Sequence, residues 1–517
     1  MTRQYVLAYD LGTTGNKAVL VDDSGNLVAS AFSPYQTFYP FENAVEQDPW
    51  EWWASVERAS RVLLETARIS PTAIAAISFS GQMMGCVPVT DAGDPIGRAI
   101  IWADMRGSQQ ADQLNQRVGK DVIYRVVGNR ANASYSAAKM MWVRDHEPDR
   151  FRRTHKFLQP KDFVVTRMTG EFVTDFSDAS GTNLFDIRQL RWSPTMIEAS
   201  GIPQEKLPDV VSSTTIVGSL RDEVAARLGL RGGIPVVVGG GDGACAAAGA
   251  GAVDEGHLYQ YLGSSSWFGC ATSRPLFDNQ ARIFNWAHVV PGYYAPTGTM
   301  QAAGAAFHWF RSILDIQGNN VQTAYQRMDE LAEKVPPGAD GLIFLPYLLG
   351  ERSPIWNDKA RGTFVGLKMS HTTGVLIRAV MEGVALNMKK ILEAFIPEVP
   401  FHHIQLIGGG AKSRLWAQIF SDVYGYPMAV PMVLDEATAL GAALTGGVGV
   451  GLFDGFHIVH QLIEEAYEVR PDPTSHVRYG LMEKLYVAAY EVLCPVFDTL
   501  AETAVLLGDP GEKPGSR

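Results

Sequence analysis

The stretch "YVLAYDLGTTGNKAVLVDDSGNLVAS", residues 5–30, sets the fold class of this chain. Residues 5–9 and 17–22 are typical of strands, and "DDSGN" at 22–26 predicts a turn into a third strand at 27–32. A hairpin turn needs only a glycine or an Asn-Gly pair. This turn also carries Thr13 and Thr14, with Asp10 before it and Lys17 after it. The additional hydroxyls and charges indicate a chemical role.

Strand and helix patterns alternate from this meander to "IPVVVGGGDG" at 234–243, which predicts an α/β chain. The segment "EQDPWEWW", residues 46–53, predicts a helix start. Asp48 would cap the helix, Pro49 would be its first residue, and Glu51 would complete a capping box. The next strand, "AAISFS" at 75–80, leads directly into "GQMMG".

The opening pattern recurs later in the chain. "HLYQYLGSSSWFGCATS" at 257–273 again gives a strand, a glycine, hydroxyl residues and a strand, and "HIQLIGGGAKSRLW" at 403–416 gives a strand, three glycines and a helix. Two halves that open in the same way suggest a duplicated domain with a cleft between the copies.

Composition limits the possible functions. A chain of 517 residues is long enough for two or three domains, and its formal charge of -11 argues against nucleic-acid or membrane-surface binding. No apolar signal segment is present near the N-terminus, and the 17-residue apolar stretch at 437–453 predicts a buried helix and turn, not a membrane span. The four cysteines and the histidines show no metal-site spacing. We therefore expect a cytoplasmic protein with reduced thiols.

Glycine turns that present backbone N–H groups and hydroxyls form sites for phosphate. Two such loops, the first beside Asp10 and Lys17, would clamp a polyphosphate, although each loop alone is also compatible with an ordinary turn. The chain contains no GxxxxGK[ST] loop and no strand-to-helix GxGxxG with a following acid. P-loop and dinucleotide-binding enzymes are thereby disfavoured.

Asp242 follows a strand and three glycines and precedes the small residues "ACAAAGAGA". A carboxylate in such a place can accept the proton of a hydroxyl that attacks a phosphate. Considered alone, Asp242 fits a cap for the alanine-rich helix that follows somewhat better than a catalytic role.

Four segments resemble signatures of the FGGY family of carbohydrate kinases. They are "SYSAAKMMWVRDH" at 134–146, "GERSP" at 350–354, "GTFVGLKMSHTTGVLIRAVMEG" at 362–383 and "DEATALGAAL" at 435–444. The third departs from the family pattern only at Val375, where a polar or acidic residue is usual. The resemblance extends over almost the whole chain.

The resemblance implies two ribonuclease-H-like domains of the actin-like ATPase fold with a catalytic cleft between them. Residues 1–248 would bind the sugar, and residues 249–517 would bind ATP. The second domain would end in a long helix, with Leu481, Leu485, Ala489, Val492 and Val496 roughly in phase, and a short flexible tail.

The same resemblance implies roles for individual residues. Asp242 would be the catalytic base, and Asp10 would hold Mg²⁺ directly or through water. The residues implied for ATP binding are Thr13, Thr14, Lys17, Gly263, Ser264, Ser265, Gly304, Gly409, Gly410, Ala411 and Arg414.

Within the family, "SGQMMG" at 80–85 most resembles the "GQMHG" element of xylulokinases. Gln82, Met83, Met84 and either Asp104 or Arg106 would then line the sugar pocket with Asp242. D-xylulose, converted to D-xylulose 5-phosphate, is the expected substrate. Because Met84 replaces a histidine and Gly243 replaces an amide residue, another pentulose, a deoxy-sugar or a sugar alcohol stays open.

The fold class is also compatible with other functions. The same ATPase fold serves filament proteins and chaperones, and a non-catalytic sugar and ATP sensor is conceivable. The chain is acidic and starts directly in its first strand, with no DNA-binding segment ahead of it, which argues against a sensor-repressor. Asp10, Lys17 and Asp242 together favour an active enzyme. Small-molecule sugar and ATP are the expected partners, and a homodimer is possible.

Overall fold

The computed structural model describes residues 3–314, 321–432 and 436–506. Asp435 of the "DEATALGAAL" segment and the predicted C-terminal tail lie outside these residues. Among the described helices, none combines the length and the apolar character that a membrane crossing requires.

The strands of the first half are β1 Tyr5–Leu11, β2 Gly15–Asp22, β3 Leu27–Pro34, β4 Thr37–Phe38, β5 Glu46–Gln47, β6 Ile74–Gly81, β7 Val87–Val89, β8 Ala99–Ile100, β9 Lys156–Leu158, β10 Val173–Asp175, β11 Phe185–Asp186, β12 Arg191–Trp192, β13 Asp209–Val211, β14 Ile216–Ser219, β15 Pro235–Val237 and β16 Gly240–Gly241. Those of the second half are β17 Leu258–Leu262, β18 Ser266–Cys270, β19 Phe284–Ala287, β20 Tyr294–Met300, β21 Ile343–Leu345, β22 Thr363–Val365, β23 Ile404–Ile407, β24 Met428–Pro431 and β25 Glu465–Val469.

The helices are α1 Pro49–Ala67, α2 Ser108–Val118, α3 Lys120–Val127, α4 Ser136–His146, α5 Pro148–Arg153, α6 Pro160–Thr169, α7 Phe176–Ser180, α8 Pro194–Ser200, α9 Asp222–Leu228, α10 Asp242–Gly249, α11 Gly304–Ile313, α12 Val321–Glu333, α13 Thr373–Phe395, α14 Arg414–Tyr424, α15 Ala437–Gly449, α16 Val459–Leu462 and α17 Pro473–Leu506. Short 3-10 turns cover Pro71–Ala73, Gln204–Lys206, Ala339–Gly341, Gly409–Lys412 and Phe456–Ile458.

Each half is built on a sheet with the same core topology. In the first sheet the order is β14-β15-β6-β1-β2-β3, with β16 also paired to β6, and in the second it is β19-β20-β18-β17-β23-β24-β25. In both, an antiparallel meander is joined to parallel strands, β6 and β15 beside β1, and β23 and β24 beside β17. The predicted duplication and α/β class are confirmed.

The two sheets are linked by a pair of helices that pack closely. A Cβ on Gly249 of α10 would lie 1.8 Å from the Ala437 carbonyl oxygen, and one on Gly441 of α15 would lie 1.9 Å from the Cys245 carbonyl oxygen. Although α15 comes late in the chain, it packs on the first sheet, where Ala442 and Leu444 join Val6 and Val19 in one apolar cluster. The predicted domain division after residue 248 falls inside α10 and stays a prediction.

Asp48 caps α1 as expected. The predicted capping box was wrong, because the Glu51 carboxylate accepts a hydrogen bond from Gln36 N at 2.7 Å. The predicted long C-terminal helix is present as α17. Four of the five residues named in phase along it are exposed, and the buried residues among its described side chains are Tyr479, Met482, Tyr486 and Phe497. The exposed stripe, with side chains 47–75% exposed, consists of Val477, Leu481, Leu485, Val492, Val496 and Leu500.

Candidate active site

The Gly12–Gly15 turn connects β1 to β2 and is closed by a hydrogen bond from Gly12 N to Gly15 O of 3.1 Å. In the antiparallel ladder Asp10 lies directly opposite Lys17. The two charges predicted to handle phosphate therefore flank the loop that carries Thr13 and Thr14. Lys17 Nζ also lies 3.7 Å from Glu436 Oε1, just before α15.

The same turn is held in place by residues that sequence reasoning did not assign to the site. Gln47 Nε2 donates to Thr13 O at 2.7 Å, and Trp102 Nε1 donates to Thr13 Oγ1 at 2.9 Å. The Tyr35 hydroxyl donates to the Gly12 carbonyl. Gln47 lies in the "EQDPWEWW" segment, which sequence analysis interpreted only as a helix start, and Trp102 lies two residues before Asp104.

Sheet topology brings Asp10 and Asp242 to one edge. Ser80 of β6 pairs with Asp10 of β1 on one side and with Gly240 of β16 on the other, and both pairings are parallel. Because the carboxyl ends of parallel strands share an edge, the residue that follows β16 arrives near the end of β1.

Asp10 and Asp242 are both perturbed carboxyl groups. Burial raises the pKa of Asp10 to about 6, against the opposing effects of Ser80 and Lys17. Burial and then the negative charge of Asp10 raise the pKa of Asp242 to about 7, while the N–H of Gly243 opposes the shift. Asp242 is the first residue of α10, after Gly241 as the N-cap. It is therefore not the capping residue, and its pKa suits a proton acceptor near neutral pH.

A buried charge cluster lies behind Asp242. Lys161 Nζ contacts Asp162 Oδ1 at 2.6 Å, Asp175 Oδ1 at 3.0 Å and Asp178 Oδ2 at 3.1 Å, and all four side chains are fully buried. Ser177 connects this cluster to the active-site backbone. Its hydroxyl donates to Asp175 Oδ2 at 2.5 Å and accepts from Gly241 N at 2.8 Å.

Gly241 also packs directly on the predicted sugar segment. A Cβ on Gly241 would lie 2.6 Å from Met83 Cγ, so no larger residue fits beside Met83. Met83 is buried, and it joins Tyr135 and Trp286 in a small cluster against which Met84 packs. The predicted residues Met83, Met84 and Asp242 thus lie together, with two aromatic rings that sequence analysis missed.

Met84 adopts a left-handed backbone conformation, with φ of 60°. Lys139 Nζ donates to its carbonyl oxygen at 3.0 Å and also to the Ser134 carbonyl. Burial lowers the pKa of Lys139 to about 7. Arg352 reaches this region from the second half, with Nη2 3.2 Å from Ser134 Oγ. The "GERSP" segment therefore contacts Ser134, whose carbonyl shares Lys139 with that of Met84 in the predicted sugar segment.

Asp104 and Arg106 form a buried ion pair, with Arg106 Nη2 2.7 Å from Asp104 Oδ2 and 2.8 Å from Glu46 Oε1. Asp104 Oδ2 also accepts from Val45 N. Gln82 lies closer to the phosphate turn, where its N donates to Leu11 O at 2.9 Å and its Nε2 to Gln47 Oε1 at 2.8 Å. Sugar contact by these three residues stays a prediction.

A cavity of about 740 Å³ lies in the second half. Five of the predicted ATP-binding residues line it, namely Gly263, Ser264, Gly304, Gly409 and Gly410. Glycine is required at 304, because a Cβ there would lie 2.3 Å from Gly263 O. The size of the cavity is in the range of small-molecule sites.

Of the other predicted nucleotide residues, Thr13, Thr14 and Lys17 lie at the Gly12–Gly15 turn, and Ser265, Ala411 and Arg414 follow cavity-lining segments in the sequence. Ser265 closes the turn by accepting from Gly263 N at 2.9 Å. Ala411 is buried, and Arg414 stacks over the Tyr467 ring at 5.2 Å. None of the three belongs to the described lining, so their contact with ATP stays a prediction. Asp329, which was missed, is a lining residue whose pKa is raised to about 6 by burial.

Comparisons with known proteins match both halves of the chain. Residues 5–249 match the N-terminal domain of the FGGY family of carbohydrate kinases, and residues 258–450 match the C-terminal domain of that family.

Similar individual proteins carry two kinds of name. The xylulose kinase of Escherichia coli (strain K12) is 32% identical over 95% of this chain and 99% of its own length. The gluconokinase of Bacillus subtilis (strain 168) is 28% identical over 96% of this chain and 98% of its own. The crystal structure of xylulose kinase from Rhodospirillum rubrum superposes with a TM-score of 0.89 at 29% identity and covers 96% of this chain and 100% of that one.

Proposed function

Because the chain belongs to the FGGY family of carbohydrate kinases, it is an ATP-dependent sugar kinase, and we propose that its sugar is D-xylulose, phosphorylated to D-xylulose 5-phosphate. One observation carries the proposal above all others. Asp242, with a pKa of about 7, is close enough to Asp10 to be affected by its charge, and its neighbours Gly241 and Gly243 both face Met83, in the segment that resembles the xylulokinase sugar element. Similar proteins named xylulose kinase support the choice of sugar.

In the proposed reaction the sugar binds between Met83, Met84 and Asp242. Asp242 accepts the proton of the sugar hydroxyl as the hydroxyl oxygen bonds to the γ-phosphorus of ATP. The bond from that phosphorus to the β,γ-bridging oxygen breaks, and ADP is released. Lys17 and the donors of the Gly12–Gly15 turn stabilise the charge on the γ-phosphoryl oxygens.

The Asp10 carboxylate fits a Mg²⁺ ion, which binds oxygen ligands. Asp10 Oδ1 is buried and makes no hydrogen bond among the residues described. A Mg²⁺ ion held there, directly or through water, would neutralise charge on the phosphates. We place ATP in the 740 Å³ cavity, with its phosphates toward Gly263 and Ser264.

Departures from the xylulokinase pattern support a second candidate. Met84 and Gly243 present no polar side-chain group to the proposed pocket, where xylulokinases have a histidine and an amide. A sugar hydroxyl that meets them loses a partner, at a cost of about 1–3 kcal/mol. Another pentulose, a deoxy-sugar, a sugar alcohol or gluconate, the last in line with the gluconokinase relatives, is the alternative acceptor.

The test is ADP release with Mg-ATP across D-xylulose, L-xylulose, D-ribulose, L-ribulose, 1-deoxy-D-xylulose, erythritol, D-arabitol, glycerol and gluconate. Turnover that is highest on D-xylulose and is lost in Asp242→Ala supports the proposal. Highest turnover on another acceptor would leave the assignment as a sugar kinase intact and would show that D-xylulose is not the preferred substrate. Asp242→Ala should still bind ATP, because Asp242 does not line the nucleotide cavity.

We place the reaction in the cytoplasm, since Cys86, Cys245, Cys270 and Cys494 are all free thiols.

We also propose a homodimer. The exposed stripe of α17 is self-complementary, because apolar residues recur along one side of a single helix and can pair with the same face of a second copy. A monomeric mass in solution for Leu481→Lys/Val492→Lys, against a dimeric wild type, would support this. A monomeric wild type would refute it.

A further inference from the structure

Four side chains of metal-binding type meet at a place that includes none of the residues assigned to the proposed reaction. Asp254 and His257 lie in the connection between α10 and β17, and His457 and His460 lie in the 3-10 turn Phe456–Ile458 and in α16. Both pairs have the spacing of two intervening residues. Sequence analysis did not connect them, because roughly 200 residues separate the pairs.

The donor atoms of this cluster converge. One ligand atom from each of Asp254, His257 and His460 lies within 4.8 Å of the other two. Asp254 Oδ2 is 3.3 Å from His457 Nδ1 and 3.7 Å from His460 Nε2, and Asp254 Oδ1 contacts His257 Nδ1. Tetrahedral zinc with bonds of about 2.1 Å separates its ligand atoms by about 3.4 Å. Small side-chain movements therefore suffice to surround one ion.

Asp254 Oδ1 and His257 Nδ1 are buried atoms that contact each other, and neither makes a hydrogen bond of ordinary geometry within the described protein. A metal ion bound by both atoms would give each of them a regular ligand bond. The His257 and His460 rings stack with centroids 4.8 Å apart.

The position of the cluster gives it a mechanical role. Asp254 and His257 belong to one connection between the two sheets, since β17 is the first strand of the second sheet. The segment with His457 and His460 packs on the first half, where a Cβ on Gly25 would lie 2.8 Å from Leu462 Cδ1. The chain then continues into β25 of the second sheet. The cluster thus joins two of the connections between the halves.

We propose that Asp254, His257 and His460 bind a divalent transition-metal ion of the zinc class, with His457 or water as the fourth ligand. The ion ties the two connections together. It thereby restrains the movement of the halves and lowers turnover. Metal binding itself does not depend on the proposed reaction.

The first experiment measures binding without activity. The full chain is stripped with EDTA, dialysed and titrated with Co²⁺, followed by its visible absorption, and then with Zn²⁺. We expect one Co²⁺ per chain with tetrahedral bands, displaced by Zn²⁺, and a loss of about 100-fold or more in affinity for His257→Ala/His460→Ala. His402→Ala/His403→Ala is the matched control, because both histidines are exposed and outside the cluster, and it should bind as the wild type does. Equal binding by the cluster variant, or no saturable site in the wild type, would overturn the proposal.

The second experiment tests the mechanical role. Turnover at fixed Mg-ATP is measured with and without Zn²⁺ for the wild type and for His257→Ala/His460→Ala, whose turnover without zinc should be unchanged. We expect zinc to slow only the wild type, by about twofold or more. Equal inhibition of both would mean that zinc competes at the ATP site, and zinc without effect on the wild type would exclude restraint. Either result would overturn the mechanical part.

Discussion

The backbone N–H of Gly241 donates a 2.8 Å hydrogen bond to the hydroxyl of Ser177, and this bond attaches the residue before Asp242 to the buried Lys161 cluster. The proposed base is therefore positioned by a side chain that touches neither sugar nor ATP in the arrangement proposed here. Ser177 is held in turn by Asp175, whose Oδ2 accepts a hydrogen bond from the Ser177 hydroxyl, with 2.5 Å between the two oxygens.

Ser177→Ala should lower kcat by about 10- to 100-fold, since small displacements of a reacting group have effects of this size. KM for ATP should stay unchanged, because Ser177 is outside the nucleotide cavity. The unpaired Gly241 N–H should also cost about 1–3 kcal/mol of stability.

Ser200→Ala is the control for this change, since Ser200 is buried and its Oγ likewise accepts a backbone N–H, that of Ile202, at 3.2 Å. Steady-state kinetics and denaturant unfolding of both variants check the expectation. An equal fall in kcat for the control would show a general effect of lost stability.

Asp242 should give the enzyme an acidic limb in its pH profile. A base must be deprotonated to act, and the pKa of Asp242 is raised to about 7, so kcat/KM should fall about tenfold per pH unit below that value. The charge of Asp10 contributes to the shift. Asp10→Asn, although less active, should therefore move the limb to lower pH. A limb that stays in place in Asp10→Asn would contradict the electrostatic coupling.

Met84→His should raise kcat/KM for D-xylulose by roughly 5- to 150-fold if a sugar hydroxyl meets this position, which corresponds to about 1–3 kcal/mol. The backbone can accept the change, because histidine is one of the residues that tolerate the left-handed conformation found at 84. Gly243→Asn is also sterically allowed, since its Cβ would meet only Met83 Sδ, at 3.9 Å. Assays of both variants on the acceptor panel test whether a sugar hydroxyl meets position 84 or position 243. No gain on D-xylulose would favour an acceptor without that hydroxyl.

Gly304→Ala should weaken ATP binding by about tenfold or more, or about 1.4 kcal/mol, because the new Cβ would displace the Gly263 turn. Sugar binding should be spared. Gly480→Ala in α17 is the control, because no atom lies within 4 Å of its added Cβ. Calorimetric titration with ATP measures the difference. Unchanged affinity in Gly304→Ala would place ATP elsewhere.

Glu351 should make stability depend on pH. Burial raises its pKa from 4.5 to about 8, so between these values the folded state binds a proton that the unfolded state releases. Stability should therefore fall as pH rises through this window, by up to about 1.4 kcal/mol per unit from this group. Glu351→Gln should flatten that slope. Denaturant unfolding from pH 5 to 8 tests this, and parallel slopes for both proteins would refute it.

Local patterns were sufficient for the parts of the site that lie on consecutive residues. The turns at 12–15 and 263–266 and the strand before Asp242 follow from glycine, hydroxyl and apolar spacing. Ser177, Gln47 and Trp286 act through contacts distant in sequence, which no local pattern records. The histidine cluster was missed for the same reason.

Helix α17 shows where the local pattern misleads. Its sequence offers more than one apolar face, and amphipathic spacing does not choose between them. The buried face is fixed by partners elsewhere, since the Tyr479 hydroxyl donates to Glu382 Oε1 at 2.7 Å and the Tyr486 hydroxyl lies 2.9 Å from that of Tyr347. Such hydrogen bonds decide the register of the helix against the core.

The packing of α15 on the first sheet affects how the protein is made. The apolar back of that sheet, including Val6 and Val19, is completed by a helix that leaves the ribosome roughly 190 residues after α10. At about 5–20 residues per second, that surface waits roughly 10–40 seconds for its cover. The nascent first half is thus the stage at which we expect chaperone binding, and a ribosome stalled before residue 437 would carry an unfinished fold.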